Sequence, residues 1–407
     1  MHKATRKFLR AGIFKNLKSF DQLEKRIAKI KLNKDRGDAL EVFVEGYLRV
    51  TVKSPQILTS SQITPSLRRK LNFPPKVEDA GVDGIYENEN GEWVAYQVKF
   101  REDRGCLSLS ELSTFFSATE DAPFRCVITN AENITDRAKN KKRLFSIRNH
   151  DFSKLGRREL SDIEKSLAGK AVKAEKPFKK RPDQIDAVNA IAKEFKKADR
   201  TQAIMACGTG KTVVSIWAAE KMRSSKIIVL VPSLALLRQI YKEWHKHYHK
   251  KGIKFFAVCS DFGITKKIDE LEFDVLDMDF PVTKGVAELK KQIKGEKKLV
   301  VFSTYDSSYI VGKANKGLSP FDYGVFDEAH KTAGRSSPRY SLSLSDKNIH
   351  LKKRLFLTAT PRVVNSRKKD KSGDFGLLNS MDDEATYGKP CYTLNFSEAA
   401  KKGIICD

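Results

Sequence analysis

The sequence predicts an α/β chain of two folded parts: a small mixed-sheet domain, then a larger domain built on a parallel sheet. Three observations predict it. From Arg181 onward, apolar runs such as "QAIMA", "KIIVLVPS", "KFFAVCS", "KLVVFSTY", "YGVFDEAH" and "KRLFLTATP" alternate with helical stretches. Continuous apolar strands separated by helices mean a parallel sheet covered on both faces. Between about residues 20 and 150, an amphipathic helical stretch precedes a hairpin and further strands. Finally, 407 residues with 40% apolar content are too many for one ordinary core. The expected layout is a basic segment 1–19, a first domain 20–150, a Lys-rich helix and linker 151–180, and a second domain 181–407.

Composition narrows the class. The formal net charge is +26 and the pI about 9.7. That excess predicts affinity for a polyanion, with nucleic acid ahead of a membrane surface. Lys-rich stretches without a base-reading module would track phosphates. The cysteines (Cys106, Cys126, Cys207, Cys259, Cys391 and Cys406) form no C-x-x-C pair. That pattern argues against a disulfide framework and a zinc ribbon, and for a reducing compartment. No apolar run approaches membrane-spanning length, and "MHKATRKFLRAG" lacks the apolar core of a secretion signal. A cytoplasmic protein without a membrane partner is expected.

In the first domain, "GDALEVFVEGYL" puts Glu41 and Glu45 on one helical face. "AGVDGIYENENG" then leads into "EWVAYQVKF", a strand rich in Trp, Val, Tyr and Phe. A three-residue loop Glu89-Asn90-Gly91, with Gly91 left-handed, pairs residue 88 with 92 and so sets Asp83 opposite Gln97. Lys99 is the diagonal neighbour. A half-buried ammonium on so apolar a strand needs a partner. A structural Asp83–Lys99 ion pair would satisfy it. The constellation also has a chemical use: Asp83 can bind Mg2+, with Glu41 and Glu45 on offer as the further carboxylate; Gln97 can orient water or a ligand; and Lys99 can position or activate water and stabilise charge growing on a phosphate.

In the second domain, "MACGTGKT" follows a strand and opens a helix expected over Thr212–Met222. It fits a phosphate-binding loop, with Met205 where the pattern has Gly. Backbone N–H groups of Gly208, Thr209 and Gly210 would converge on phosphates, Lys211 would neutralise charge, and Thr212 would hold Mg2+. "VFDEAH" closes a later strand. There Asp327 would be the second Mg2+ ligand, and Glu328 would orient or deprotonate the attacking water. ATP and Mg2+ are therefore the expected cofactors. "WHKHYHKK" carries His245, His247 and His249 among lysines, and it reads as a solvated helix end rather than a metal site.

These stretches carry two resemblances. Residues 181 to 407 resemble the first RecA-like lobe of superfamily 2 (DEAH-box) helicases and translocases, with their motifs in order. The resemblance implies that "RPDQ" binds the nucleotide through Arg181 and Gln184, with Gln184 reading adenine. It also implies that "LVPSLALLRQ" and "VFSTYDS" touch the nucleic-acid backbone, and that "TATP" couples hydrolysis to strand contact. Residues 20 to 150 resemble the PD-(D/E)xK restriction-nuclease fold, in its Mrr-like branch with a Q-x-K strand end. By that likeness Glu41 sits on the first helix, Asp83 on the second strand, and Gln97 with Lys99 on the third; Glu45 has no assigned role. The layout is similar to the N-terminal part of type ISP restriction enzymes. It implies double-stranded DNA as the track and defence against foreign DNA as the role. It also implies a second RecA-like lobe, a methyltransferase and a target-recognition domain, on a further stretch of chain or another polypeptide; "FSEAAKKGIICD" looks like the entry to that second lobe. Two rivals fit the same residues: a repair helicase-nuclease, and an inert DNA-binding domain feeding a motor.

Overall fold

The computed structural model describes all residues except 76–79, 140, 173–178, 249, 261–277, 335–337, 365–378 and 406–407. His249, Cys406 and much of the expected linker lie outside the described residues. The chain divides into two compact units. One carries the elements from Thr5 to Leu167, the other those from Pro182 to Lys401.

The first unit is built on a five-stranded sheet, β1 (Ile57–Thr59), β2 (Gly84–Glu87), β3 (Trp93–Lys99), β4 (Phe124–Thr129) and β5 (Leu144–Ile147), in that spatial order. β1, β2 and β3 pair antiparallel, while β3, β4 and β5 run parallel. The hairpin register is the expected one, with Gly84 opposite Tyr96 and Glu87 opposite Trp93. Gly91 adopts φ +78°, and the Asn88 N–H donates to the Glu92 carbonyl.

Alternation along β3 explains the two layers. Val94, Tyr96 and Val98 join Tyr86 in the core that contains the Asn33–Val50 helix. Ala95 and Trp93 pack on the opposite side with Leu112, Phe115 and Phe116. The helix buries Leu40, Val42, Phe43, Val44, Tyr47 and Leu48, a face wide enough to meet more than the sheet. A second helix, Arg157–Leu167, brings Leu160, Ile163 and Leu167 to it. Gly46 permits that approach: a Cβ there would stand 2.8 Å from Ile163 Cγ2. The glycine costs helix propensity of about 1 kcal/mol but lets the two helices close.

Segment 1–19, set apart by its charge, belongs to this core, because Phe8, Phe14 and Leu17 are buried in it. The start of the Lys-rich zone does too. Phe152 is fully buried against Phe20, Phe43 and Tyr47, with ring centroids 4.5 to 5.6 Å apart. Deleting that ring should leave a cavity. Phe152→Ala is expected to destabilise the first unit by about 3–5 kcal/mol in urea unfolding followed by circular dichroism. An unchanged midpoint would mean that the segment only rests on the domain.

The second unit holds an eight-stranded sheet in which every recorded pairing is parallel. Its strands are β6 (Arg200–Met205), β7 (Lys226–Val231), β8 (Lys254–Val258), β9 (Val282–Thr283), β10 (Leu299–Thr304), β11 (Tyr323–Phe326), β12 (Arg354–Thr358) and β13 (Lys389–Leu394). The spatial order is β13-β6-β12-β11-β7-β10-β8-β9. Strands β6, β12 and β11 thus lie side by side, so "MACGTGKT", "TATP" and "DEAH" leave the same edge of the sheet. The stretch expected to lead away from this lobe stays with it. β13 pairs with β6, and Leu394, Ala399, Ile404 and Ile405 pack around Ala206 in the turn after β6.

Candidate functional site

The site in the first unit forms where β2 begins and β3 ends. β2 starts at Gly84, so Asp83 stands one residue outside the ladder while its N–H still donates to the Tyr96 carbonyl. The carboxylate turns back to the sheet, and Asp83 Oδ2 accepts the Val98 N–H at 2.6 Å. Asp83 is thereby held by backbone at both ends. Its carboxyl is pushed well above the ordinary carboxylate range, first by burial and then by the Glu41 carboxylate; the Val98 N–H and the Lys99 ammonium oppose this, and Asp38 adds to it. Glu41, Asp83 and Lys99 therefore meet electrostatically, although Glu41 comes from a helix about forty residues upstream.

Gln97 is 3% exposed, and its Oε1 has no hydrogen-bond partner. A buried acceptor without a donor costs roughly 1–3 kcal/mol. Its amide nitrogen fills the space where a Cβ at Gly81 would stand. No contact between Asp83 and Gln97 side chains is recorded among the described residues. Opposed positions in the ladder predict a shared face, but Asp83 lies past the strand end and turns to the Val98 N–H instead.

Two residues that sequence reasoning missed stand beside Glu41. The ligand atoms of His2, Asp38 and Glu41 all lie within 4.8 Å of one another. Asp38 was open to discovery as the residue one turn before Glu41. His2 carried no local signal.

In the second unit, β6 runs into a turn that opens the Lys211–Lys221 helix. Gly208 and Gly210 take φ of +80° and +89°, which side-chain-bearing residues rarely adopt. The turn is clasped from outside. Arg181 Nη2 and Gln184 Nε2 both donate to the Thr209 carbonyl, at 2.5 and 3.2 Å, and Gln184 Oε1 accepts the Arg181 N–H. Gln184, expected to read a base, here has both ends of its amide engaged. The Thr209 hydroxyl and backbone N–H both turn to the Ala206 carbonyl, at 2.7 and 3.4 Å. Lys211 Nζ lies 3.5 Å from Glu328 Oε1 and 3.5 Å from the Met205 carbonyl. Thr212 is the second residue of the helix.

Asp327 directly follows β11, and its Oδ1 is buried without a hydrogen-bond partner. Burial, then the Glu328 carboxylate, push its carboxyl up to about 6, against the pull of Lys211. Glu328 sits at φ +48°, a strained conformation for a residue with a side chain. Its Oε2 lies 3.3 Å from His330 Nδ1, which lies 3.0 Å from the Thr358 hydroxyl. "DEAH" and "TATP" are thus joined through one imidazole. Burial holds the His330 pKa below its ordinary value.

Comparison with known proteins follows the same division. Residues 70–170 match a restriction endonuclease family, and residues 177–363 match the res subunit of type III restriction enzymes. A probable helicase of African swine fever virus is 31% identical over 226 residues, 55% of this chain and 23% of the viral protein. The structure of the ATP-dependent type ISP restriction-modification enzyme LlaBIII bound to DNA matches with a TM-score of 0.74 at 26% identity, over 96% of this chain and 26% of that one. The chain thus spans about a quarter of the length of these relatives. It carries a restriction-endonuclease domain followed by a helicase domain of the type III res-subunit family.

Proposed function

We propose that this chain cleaves DNA with its first unit and binds and hydrolyses ATP with its second, as part of a restriction enzyme. One observation carries the reading. Each unit holds a buried, unpartnered oxygen and a carboxylate near one end of its sheet: Gln97 Oε1 near the end of β3 with Asp83 just before β2, and Asp327 Oδ1 just after β11 with Glu328. Unsatisfied hard oxygens among carboxylates fit Mg2+. Asp83 and Glu41 would hold it in the first unit, and Asp327 with Thr212 in the second. Bound Mg2+ would polarise a phosphate and lower the pKa of water.

The chain's own residues do the rest. Lys99, next to Asp83, stabilises negative charge building on the scissile phosphate. Backbone N–H groups of Gly208 to Gly210 cradle the ATP phosphates at a helix N-terminus, and Lys211 neutralises their charge. Glu328 orients the hydrolytic water, and its strained backbone fixes where the carboxylate points. The His330–Thr358 contact gives hydrolysis a route to the "TATP" segment, which leaves the sheet beside it. This reading has the lobe work against a second RecA-like lobe, alongside methyltransferase and target-recognition domains. Its substrate is double-stranded DNA held mainly through phosphates.

Supercoiled plasmids of unrelated sequence, incubated with the full chain and Mg2+, test the nuclease half. Nicks that appear with Mg2+ and vanish with chelator are expected. Binding without cleavage would favour the inert DNA-binding domain. Because the charge is +26, affinity for any duplex should fall by about a hundredfold or more between 50 and 200 mM salt. Titrations on unrelated duplexes would show it; a flat salt response would count against phosphate-led binding. No helix among the described residues is long and apolar enough to cross a membrane.

A further inference from the structure

Glu45 has no part in the chemistry above, yet it is 1% exposed and charged. A buried carboxylate must be satisfied. Glu45 Oε1 accepts from Arg49 at 2.5 Å, and Oε2 accepts the backbone N–H of His2 at 2.7 Å. Glu45 thus fastens the chain forty-three residues upstream. The segment is fixed at further points: the Thr5 hydroxyl donates to the His2 carbonyl at 2.7 Å, and Phe8 is buried in the core.

The His2 imidazole is oriented by its own turn. Its Nδ1 accepts the Ala4 N–H at 3.2 Å. A ring nitrogen that accepts carries no proton, so the neutral ring bears its hydrogen on Nε2. That Nε2 lies 3.4 Å from Glu41 Oε2. This tautomer makes His2 a donor to the carboxylate rather than a metal ligand. One Glu41 oxygen is then held by His2, while the carboxylate acts electrostatically on Asp83.

We propose that His2 is a positioning residue of the nuclease metal site: anchored through Glu45, it fixes the Glu41 carboxylate for a divalent cation shared with Asp83. The inference rests on the nuclease reading above. It gives Glu45 its role, four residues beyond Glu41 on the same helical face. Partners that orient a ligating carboxylate tune how tightly it holds the metal, typically by about 10- to 100-fold.

The test uses the full chain without nucleotide. Mn2+ binding is followed by electron paramagnetic resonance, and the relevant site is the one lost in Asp83→Ala. His2→Ala is expected to weaken Mn2+ at that site by about 10- to 100-fold. It should raise the Mg2+ needed for half-maximal nicking to a similar extent, with the rate at saturating Mg2+ close to the parent's. His2→Gln, whose amide can still donate, should stay within a few-fold of the parent in both. Parent-like Mn2+ affinity in His2→Ala would overturn the proposal, and so would a cleavage defect that excess Mg2+ does not restore. Cleavage by Asp83→Ala at the parent rate would instead overturn the nuclease reading beneath it.

Discussion

Asp83→Ala and Lys99→Ala are each expected to lower Mg2+-dependent DNA cleavage by about a hundredfold or more, with the domain still folded. Charge that develops on a phosphate in a partly dry site needs fixed countercharge, and one such group is worth roughly 3–4 kcal/mol of barrier. Asp83 stands outside the ladder, and Lys99 is the last residue of β3, so neither removal breaks a strand. Asp83 is a burden on the metal-free fold. Its carboxyl is raised by burial and by Glu41. A group with a raised pKa favours the fold at pH values below the ordinary carboxylate range and loses that contribution as pH climbs through the raised value. Metal-free parent protein should therefore lose stability as pH rises from the ordinary carboxylate range toward neutrality. Asp83→Asn, which still accepts the Val98 N–H, should flatten that loss. Urea midpoints across this range in chelator would show the slope, and rates of plasmid nicking the catalytic loss. Lys99→Ala cleaving at the parent rate would sink the nuclease assignment.

Lys211→Ala is expected to weaken ATP binding by about a hundredfold. The lysine directly follows the turn formed by Gly208 to Gly210 in the chain, and its ammonium faces Glu328 at 3.5 Å. Charge-assisted hydrogen bonds contribute about 1.5–3 kcal/mol each, and one ammonium can make two to a triphosphate. Glu328→Gln should keep the binding and lose hydrolysis, because the amide preserves shape without a basic oxygen. A titration with a fluorescent ATP analogue, run beside phosphate release, separates the two. Parent affinity in Lys211→Ala would mean that the turn is not the phosphate site.

The motor lobe was legible because its chemistry is local. Continuous apolar runs gave six of its strands, and the glycines at 208 and 210 took the positive φ that their spacing implied. Of its two unread strands, β9 is only two residues long and β13 fully buries only Leu394, so neither has an apolar run to find. The hairpin register followed from Gly91 alone. Side-chain direction did not. Asp83 stands just outside β2, which begins at Gly84, and its carboxylate turns back to accept the Val98 N–H. The Thr209 hydroxyl turns inward for the same kind of reason, a nearby carbonyl that needs a donor. The His2–Glu45 link joins positions forty-three apart in sequence, and no periodicity reports such a contact.

Crystals of the full chain grown with Mn2+ and a non-hydrolysable ATP analogue would test the central claim most directly, through anomalous diffraction at the manganese edge. The account predicts two ions: one within about 2.5 Å of Asp83 and Glu41 carboxylate oxygens, the other bridging the nucleotide phosphates to Thr212 on the Asp327 side. Manganese at the nucleotide but none at Asp83, with Gln97 Oε1 satisfied by protein instead, would contradict the claim that the first unit is a metal-dependent nuclease.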